Sequence, residues 1–87
     1  MEFDVALADI EAARARIAGR VRPTPAWRSE ALSRRLDAEV FLKLECLQLG
    51  GSFKMRGVLN KLATMDEAAR ARGIVTVSGG NHAIATA

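Results

Sequence analysis

In the segment GGSFKMRG, residues 50–57, a single lysine, Lys54, stands between Phe53 and Met55, directly after two glycines and a serine. A surface charge needs no such setting. Near the start of a helix a cation meets the positive end of the helix dipole, at a cost of roughly 0.3–1 kcal/mol. Apolar neighbours add a desolvation cost. An amine in that position suits work as a nucleophile or Schiff-base former. An exposed lysine whose stem packs on Phe53 is the simpler reading on local physics alone. About 25 residues downstream lies a second glycine-containing turn, SGGNH, residues 78–82. Its Asn81 suits a helix cap and its His82 a first helical turn, each commonplace by itself. Together the two turns are harder to dismiss, because both present backbone N–H groups at a helix start, a setting that suits anions. Neither is a P-loop, and neither carries the Gly-x-Gly-x-x-Gly dinucleotide pattern.

The elements that must position these residues read as follows. Residues 5–18 place Leu7, Ile10, Ala13 and Ile17 at helical spacing, with Gly19 as the stop. The two prolines of RPTPAW force an extended passage over residues 22–26. Ser29 caps a second helix that ends near Asp37. Residues 39–44, EVFLKL, read as a strand. Ser52 is expected to cap a helix that reaches Met65, and Asp66 a short helix closed by Gly73. Residues 74–78, IVTVS, form a continuous β-branched run expected of a strand buried on both faces, and HAIATA begins another helix. Strands alternating with helices predict an α/β layer architecture with a parallel sheet, and both turns then lie at carboxyl ends of strands, where open α/β sheets bind ligands. Two strands fall short of the usual five or six, and Ala87 falls about two turns into a helix. We therefore expect residues 1–87 to be the N-terminal part of a longer catalytic domain, incomplete by themselves.

Composition narrows the classes further. At 87 residues with 49% hydrophobic content the chain is at most one domain, and a self-contained chain of this size buries about 60–65% of its unfolded surface. The net charge of +3 comes from 13 basic and 10 acidic residues, ten of the basic ones arginine. Arg14, Arg16, Arg20 and Arg22 read as the solvated face of a helix, without the aromatic residues of a nucleic-acid surface. Cys46 stands alone, so neither a disulfide nor a Cys/His metal site is expected; we expect it as a small core residue. The acidic start lacks a basic and an apolar leader region, and no apolar run approaches the ~18 residues of a membrane span. A cytoplasmic location follows as the expectation, with neither nucleic acid nor membrane as a partner.

LKLECLQLGGSFKMRGVLNKL resembles the Schiff-base lysine segment of the fold-type II pyridoxal-phosphate enzymes, within them the threonine/serine dehydratase and serine racemase branch, whose signature reads Ser-Phe-Lys-x-Arg-Gly. VSGGNHAIA resembles that branch's Ser-x-Gly-Asn-His-Ala loop, and VRPTPAWRSEALSRRL its threonine-proline opening. The resemblance runs over essentially the whole chain. It implies a partial three-layer parallel sheet of the tryptophan synthase β-like kind, pyridoxal 5'-phosphate as cofactor, and an amino acid such as threonine or serine as substrate. For the intact parent it implies a homo-oligomer. By the same resemblance Lys54 matches the lysine that bonds the cofactor and takes the substrate Cα proton. Phe53 and Asn81 match cofactor contacts, Asn81 at the 3'-oxygen, and Ser52 a supporting residue of the lysine loop. Ser78, Gly80, Asn81 and His82 match the loop that receives the substrate carboxylate. The implied reaction is β-elimination to a 2-oxo acid and ammonia.

Gly79 departs from the racemase form, which carries a second serine there as acid/base; dehydration is the expectation over racemisation. His82 favours the dehydratase branch over β-replacement relatives, which usually carry threonine. The alternatives are another fold-type II reaction (ammonia-lyase, racemase or β-replacement) or a non-catalytic fragment. The family's phosphate cup and the polar partner of the pyridine nitrogen have no counterpart in this sequence, so the 87-residue chain alone is expected to hold the cofactor weakly and to be inactive.

Overall fold

The structure is a computed structural model that describes residues 4–87; of the acidic start, Met1, Glu2 and Phe3 lie outside the described residues. Helix α1, Leu7–Ile17, begins where the Asp9 carboxylate accepts the Ala6 N–H at 2.7 Å. It ends ahead of Gly19, whose φ of +77° suits a residue without a Cβ. The proline-containing passage then runs into a strand. This strand β1, Ala26–Arg28, where the prolines predict only an extended passage, pairs antiparallel with β2, Phe41–Lys43, in the register Ala26↔Lys43, Trp27↔Leu42 and Arg28↔Phe41. Between them lies α2, Glu30–Leu36, capped by the Ser29 hydroxyl, which accepts the Leu32 N–H at 3.2 Å. Asp37 closes α2 in the left-handed region at φ 48°.

Two single 3-10 turns, Glu45–Leu47 and Leu49–Gly51, carry the chain from β2 into α3, Lys54–Thr64. Ser52 is buried, and its hydroxyl accepts the Lys54 N–H at 3.4 Å. The cap position falls on Phe53, one residue later than expected. Asp66 caps α4, Glu67–Ala71, through the Ala69 N–H at 2.6 Å. Residues 73–78 lead into α5, Asn81–Thr86, whose cap position is Gly80.

Three local expectations need correction. The only ladder among the described residues is the antiparallel β1–β2 pair, so no parallel pair forms there. The IVTVS run at 74–78 is not a strand, because a strand exists only with a ladder partner and none lies beside it among the described residues. Val75 and Val77 are 97% and 95% exposed, where burial on both faces was expected. Cys46 is likewise exposed, set outward on the first 3-10 turn instead of packing in a core.

The apolar centre is small. α3 packs against both α1 and α5, and the buried apolar residues Ile17, Val58 and Ala85 come one from each of these helices. The rest of the α1 stripe stays open, with Leu7 70% and Ile10 59% exposed. The chain exposes 6997 Å², where a self-contained chain of this mass exposes about 5000 Å². Its radius of gyration is 16.0 Å, against about 12 Å for a compact domain of this length. The fraction buried is therefore nearer half than the 60–65% expected. No helix among the described residues is long and apolar enough to cross a membrane.

Candidate active site

The lysine loop is built from backbone that only glycine adopts easily. Gly50 and Gly51 have φ of +74° and +72°. A Cβ on Gly50 would lie 3.3 Å from Met55 Cε and 3.8 Å from Ile84 Cγ2. At that point the lysine loop meets α5, which packs on the Leu49–Gly51 turn as well as on α3. The two motif-bearing segments are thus joined in space through one glycine.

Lys54 opens α3 and lines a cleft of about 540 Å³ that runs along this helix past Gly57 and Lys61 to Met65. The opposite wall comes from residues 73–76 and from His82 and Thr86 of α5. Lys54 and His82 therefore share one cleft, whereas Phe53, Ser78, Gly80 and Asn81 lie outside its wall. The apolar flanks of Lys54 do not bury it as expected: Lys54 is exposed, and Phe53 is 63% exposed. The ammonium lies 5.4 Å from the Phe53 ring centroid, a cation–π distance. This is the packing of the simpler reading, in a lysine that also lines the cleft.

In the second turn the Ser78 hydroxyl accepts the Gly80 N–H at 3.1 Å and so shapes the approach to α5. The N–H groups of Asn81, His82 and Ala83 belong to the first turn, which has no intrahelical acceptor for them.

The sequence reading assigned no task to the polar cluster behind the lysine. Glu45 receives two hydrogen bonds from Arg56, from Nε to Oε2 and from Nη2 to Oε1, each at 2.8 Å. The Thr24 hydroxyl donates to Glu45 Oε1 at 2.5 Å, and Lys43 Nζ donates to the Thr24 carbonyl at 2.6 Å. Gln48, 3% exposed, accepts the Arg22 N–H and donates to the Arg22 carbonyl, both at 2.9 Å. These contacts clamp the threonine-proline segment to the lysine loop. Arg56 above all, then the Thr24 hydroxyl and the Gln48 amide, hold the pKa of the Glu45 carboxyl at about 2, well below its ordinary 4.5, against the opposing effect of burial. The charge pattern held a signal for this. Between residues 40 and 65 Glu45 is the single carboxylate among four cations, Lys43, Lys54, Arg56 and Lys61.

Residues 17–87 match the family described as pyridoxal-phosphate dependent enzyme. The chain belongs to that family. Its relatives within the family include the catabolic L-threonine dehydratase TdcB of Escherichia coli K12, 45% identical over 82 residues, which span 94% of this chain and 25% of the relative. The L-threo-3-hydroxyaspartate ammonia-lyase of a Pseudomonas species is 45% identical over 86% of this chain and 24% of its own length. Among solved structures, maize serine racemase superposes with a TM-score of 0.84 at 37% identity, over 97% of this chain and 26% of its own. The match to this pyridoxal-phosphate enzyme carries the fold-type II, α/β class that the order of elements and the resemblance implied. The chain spans about a quarter of the length of these relatives.

The side chains present fit the family's cofactor. Lys54, whose primary amine can bond an aldehyde, lines a cleft of about 540 Å³, within the range of small-molecule sites. The same cleft holds His82 from the second motif.

Proposed function

We propose that this chain is the lysine-bearing part of the catalytic domain of a pyridoxal-phosphate-dependent amino-acid dehydratase. The intact enzyme would convert threonine or serine to a 2-oxo acid and ammonia, as a cytoplasmic homo-oligomer. The supporting observation is the joining of the two motifs, with Lys54 and His82 on one cleft and Ile84 set against Gly50.

When bound, pyridoxal phosphate supplies the electron sink that acidifies the substrate Cα–H. The chain's own residues do the rest. Lys54 Nζ would hold the cofactor at its aldehyde carbon and, when free, would serve as the base for the substrate Cα proton. By the resemblance, Phe53 and the Asn81 amide would be the further contacts that hold the cofactor. Ser52 fixes the first turn of α3 through its bond from the Lys54 N–H. Ser78, Gly80, Asn81 and His82 receive the substrate carboxylate, chiefly through backbone N–H groups at the start of α5. Gly79 offers no side chain for a proton on the opposite face, which favours elimination over racemisation.

Borohydride trapping tests the assignment. The chain is mixed with excess pyridoxal phosphate, reduced and digested, and the pyridoxyl label is mapped over Lys43, Lys54 and Lys61, the three lysines of the sequence. Label concentrated on Lys54, and lost in Lys54→Ala, is the expected result. Label spread evenly over the three lysines would sink the reading. The reaction itself is read from 2-oxo acid release by a full-length protein carrying this chain.

A further inference from the structure

α3 has two sides with different surroundings. Lys54, Val58, Lys61 and Met65 follow one another at helical spacing and face the cleft that contains His82. Arg56 and Asn60, one turn apart, line a second cleft of about 840 Å³ toward α1 and the threonine-proline segment. An α-helix turns by about 100° per residue, so Arg56 leaves the axis nearly opposite to Lys54. The roll of α3 about its axis therefore decides where Lys54 points.

Besides the packing of α3 on α1 and α5, two polar contacts hold that roll. Arg16 Nη1 donates to Asn60 Oδ1 at 3.2 Å, an exposed bond. The Arg56 fork on Glu45 is far better defined, with two bonds at 2.8 Å and side chains only 33% and 11% exposed. A forked guanidinium–carboxylate contact fixes orientation as well as distance. Glu45 is itself held by the Thr24 hydroxyl, and its backbone sits in the 3-10 turn ahead of the lysine loop. Three segments thus converge on one carboxylate: the threonine-proline passage, the turn after β2 and the first turn of α3.

We infer that Glu45 is a positioning residue for Lys54: through its forked contact with Arg56 it fixes the roll of α3 and directs the Lys54 amine into the cleft shared with His82. This rests on the reading of Lys54 as the cofactor-bonding lysine. Asn60 adds a weaker second latch one turn along the same side.

Lys61 is an internal reference, because it lies two turns farther on the same helix face. The experiment measures the pyridoxyl label on Lys54 relative to Lys61 after borohydride trapping of the 87-residue chain. In parallel it follows amide hydrogen exchange of residues 53–57 without cofactor. In Glu45→Gln the Lys54:Lys61 ratio is expected to fall by about fivefold and exchange at 53–57 to speed up by a similar factor, as for close charged partners. Glu45→Asp keeps the charge but is one methylene too short for both arms of the fork; it guards against outright unfolding and is expected to lower the ratio too. Glu45→Gln combined with Arg56→Gln is expected to cost no more than either change alone.

Faster exchange with an unchanged ratio would make the pair a staple without a directing role, which overturns the inference. Unchanged exchange with an unchanged ratio overturns it as well. If the unaltered chain itself shows no preference for Lys54 over Lys61, the cofactor-lysine reading fails and the inference falls with it. A preference that survives Glu45→Gln and Glu45→Asp defeats the inference alone.

Discussion

Gly50 answers two demands at once: a φ of +74° and a close approach to Met55 and Ile84. Gly50→Ala is expected to destabilise the chain by about 1–2 kcal/mol, the cost of a left-handed backbone for an L-residue. Met55 Cε, the end of a flexible side chain, can absorb the 3.3 Å contact. Denaturant titration followed by circular dichroism measures the loss. Glu45 gives a second prediction. Its carboxyl is lowered from 4.5 to about 2, chiefly by Arg56, so its contribution to stability is fully present above pH 4.5 and is lost as pH falls toward 2. Melting temperatures recorded from pH 6 to 2 should therefore fall more steeply for the unaltered chain than for Glu45→Gln. Parallel curves would show that the pair contributes nothing to folding. At this scale the lysine and its glycines were legible in the sequence because their signal is local. The lone carboxylate among four cations signalled that Glu45 needs a partner, but the choice of Arg56 depends on how two 3-10 turns fold the intervening ten residues back.

Among the elements, the helices were legible and the sheet was not. Ser29 and Asp66 cap α2 and α4 as their side chains suggest, because a cap is a contact across three residues. A strand depends on a partner distant in sequence. Ala26–Arg28 gained one in β2, while the more strand-like 74–78 has none. Gly57 poses the sharper question, since it lies inside α3 with no atom within 4 Å of where its Cβ would be. Gly57→Ala should raise stability by about 0.8–1 kcal/mol, the helix-propensity difference. Gly57 also lines the Lys54 cleft. A gain in melting temperature together with a lower Lys54 label would mark Gly57 as the place where the cofactor ring approaches the helix. A gain with unchanged label would remove that role.

For the whole molecule, the excess exposure of roughly 2000 Å² over a self-contained chain equals the total surface lost in a sizeable protein–protein interface. Three small-to-medium apolar residues, Ile17, Val58 and Ala85, cannot by themselves enforce a sharp transition. We expect broad thermal unfolding and strong binding of an apolar fluorescent dye at neutral pH; a steep two-state melt without dye binding would contradict this account of the packing. The unpaired run at 74–78 has a consequence of its own. Its N–H and C=O groups have no ladder, its valines are almost fully exposed, and it contains neither charge nor proline. Such a stretch is a template on which identical segments from other copies can stack into cross-β fibrils. Thioflavin T fluorescence should rise with chain concentration, and Val75→Lys should delay it. The residues that deliver His82 to the cleft are thus also the ones by which the isolated chain would polymerise.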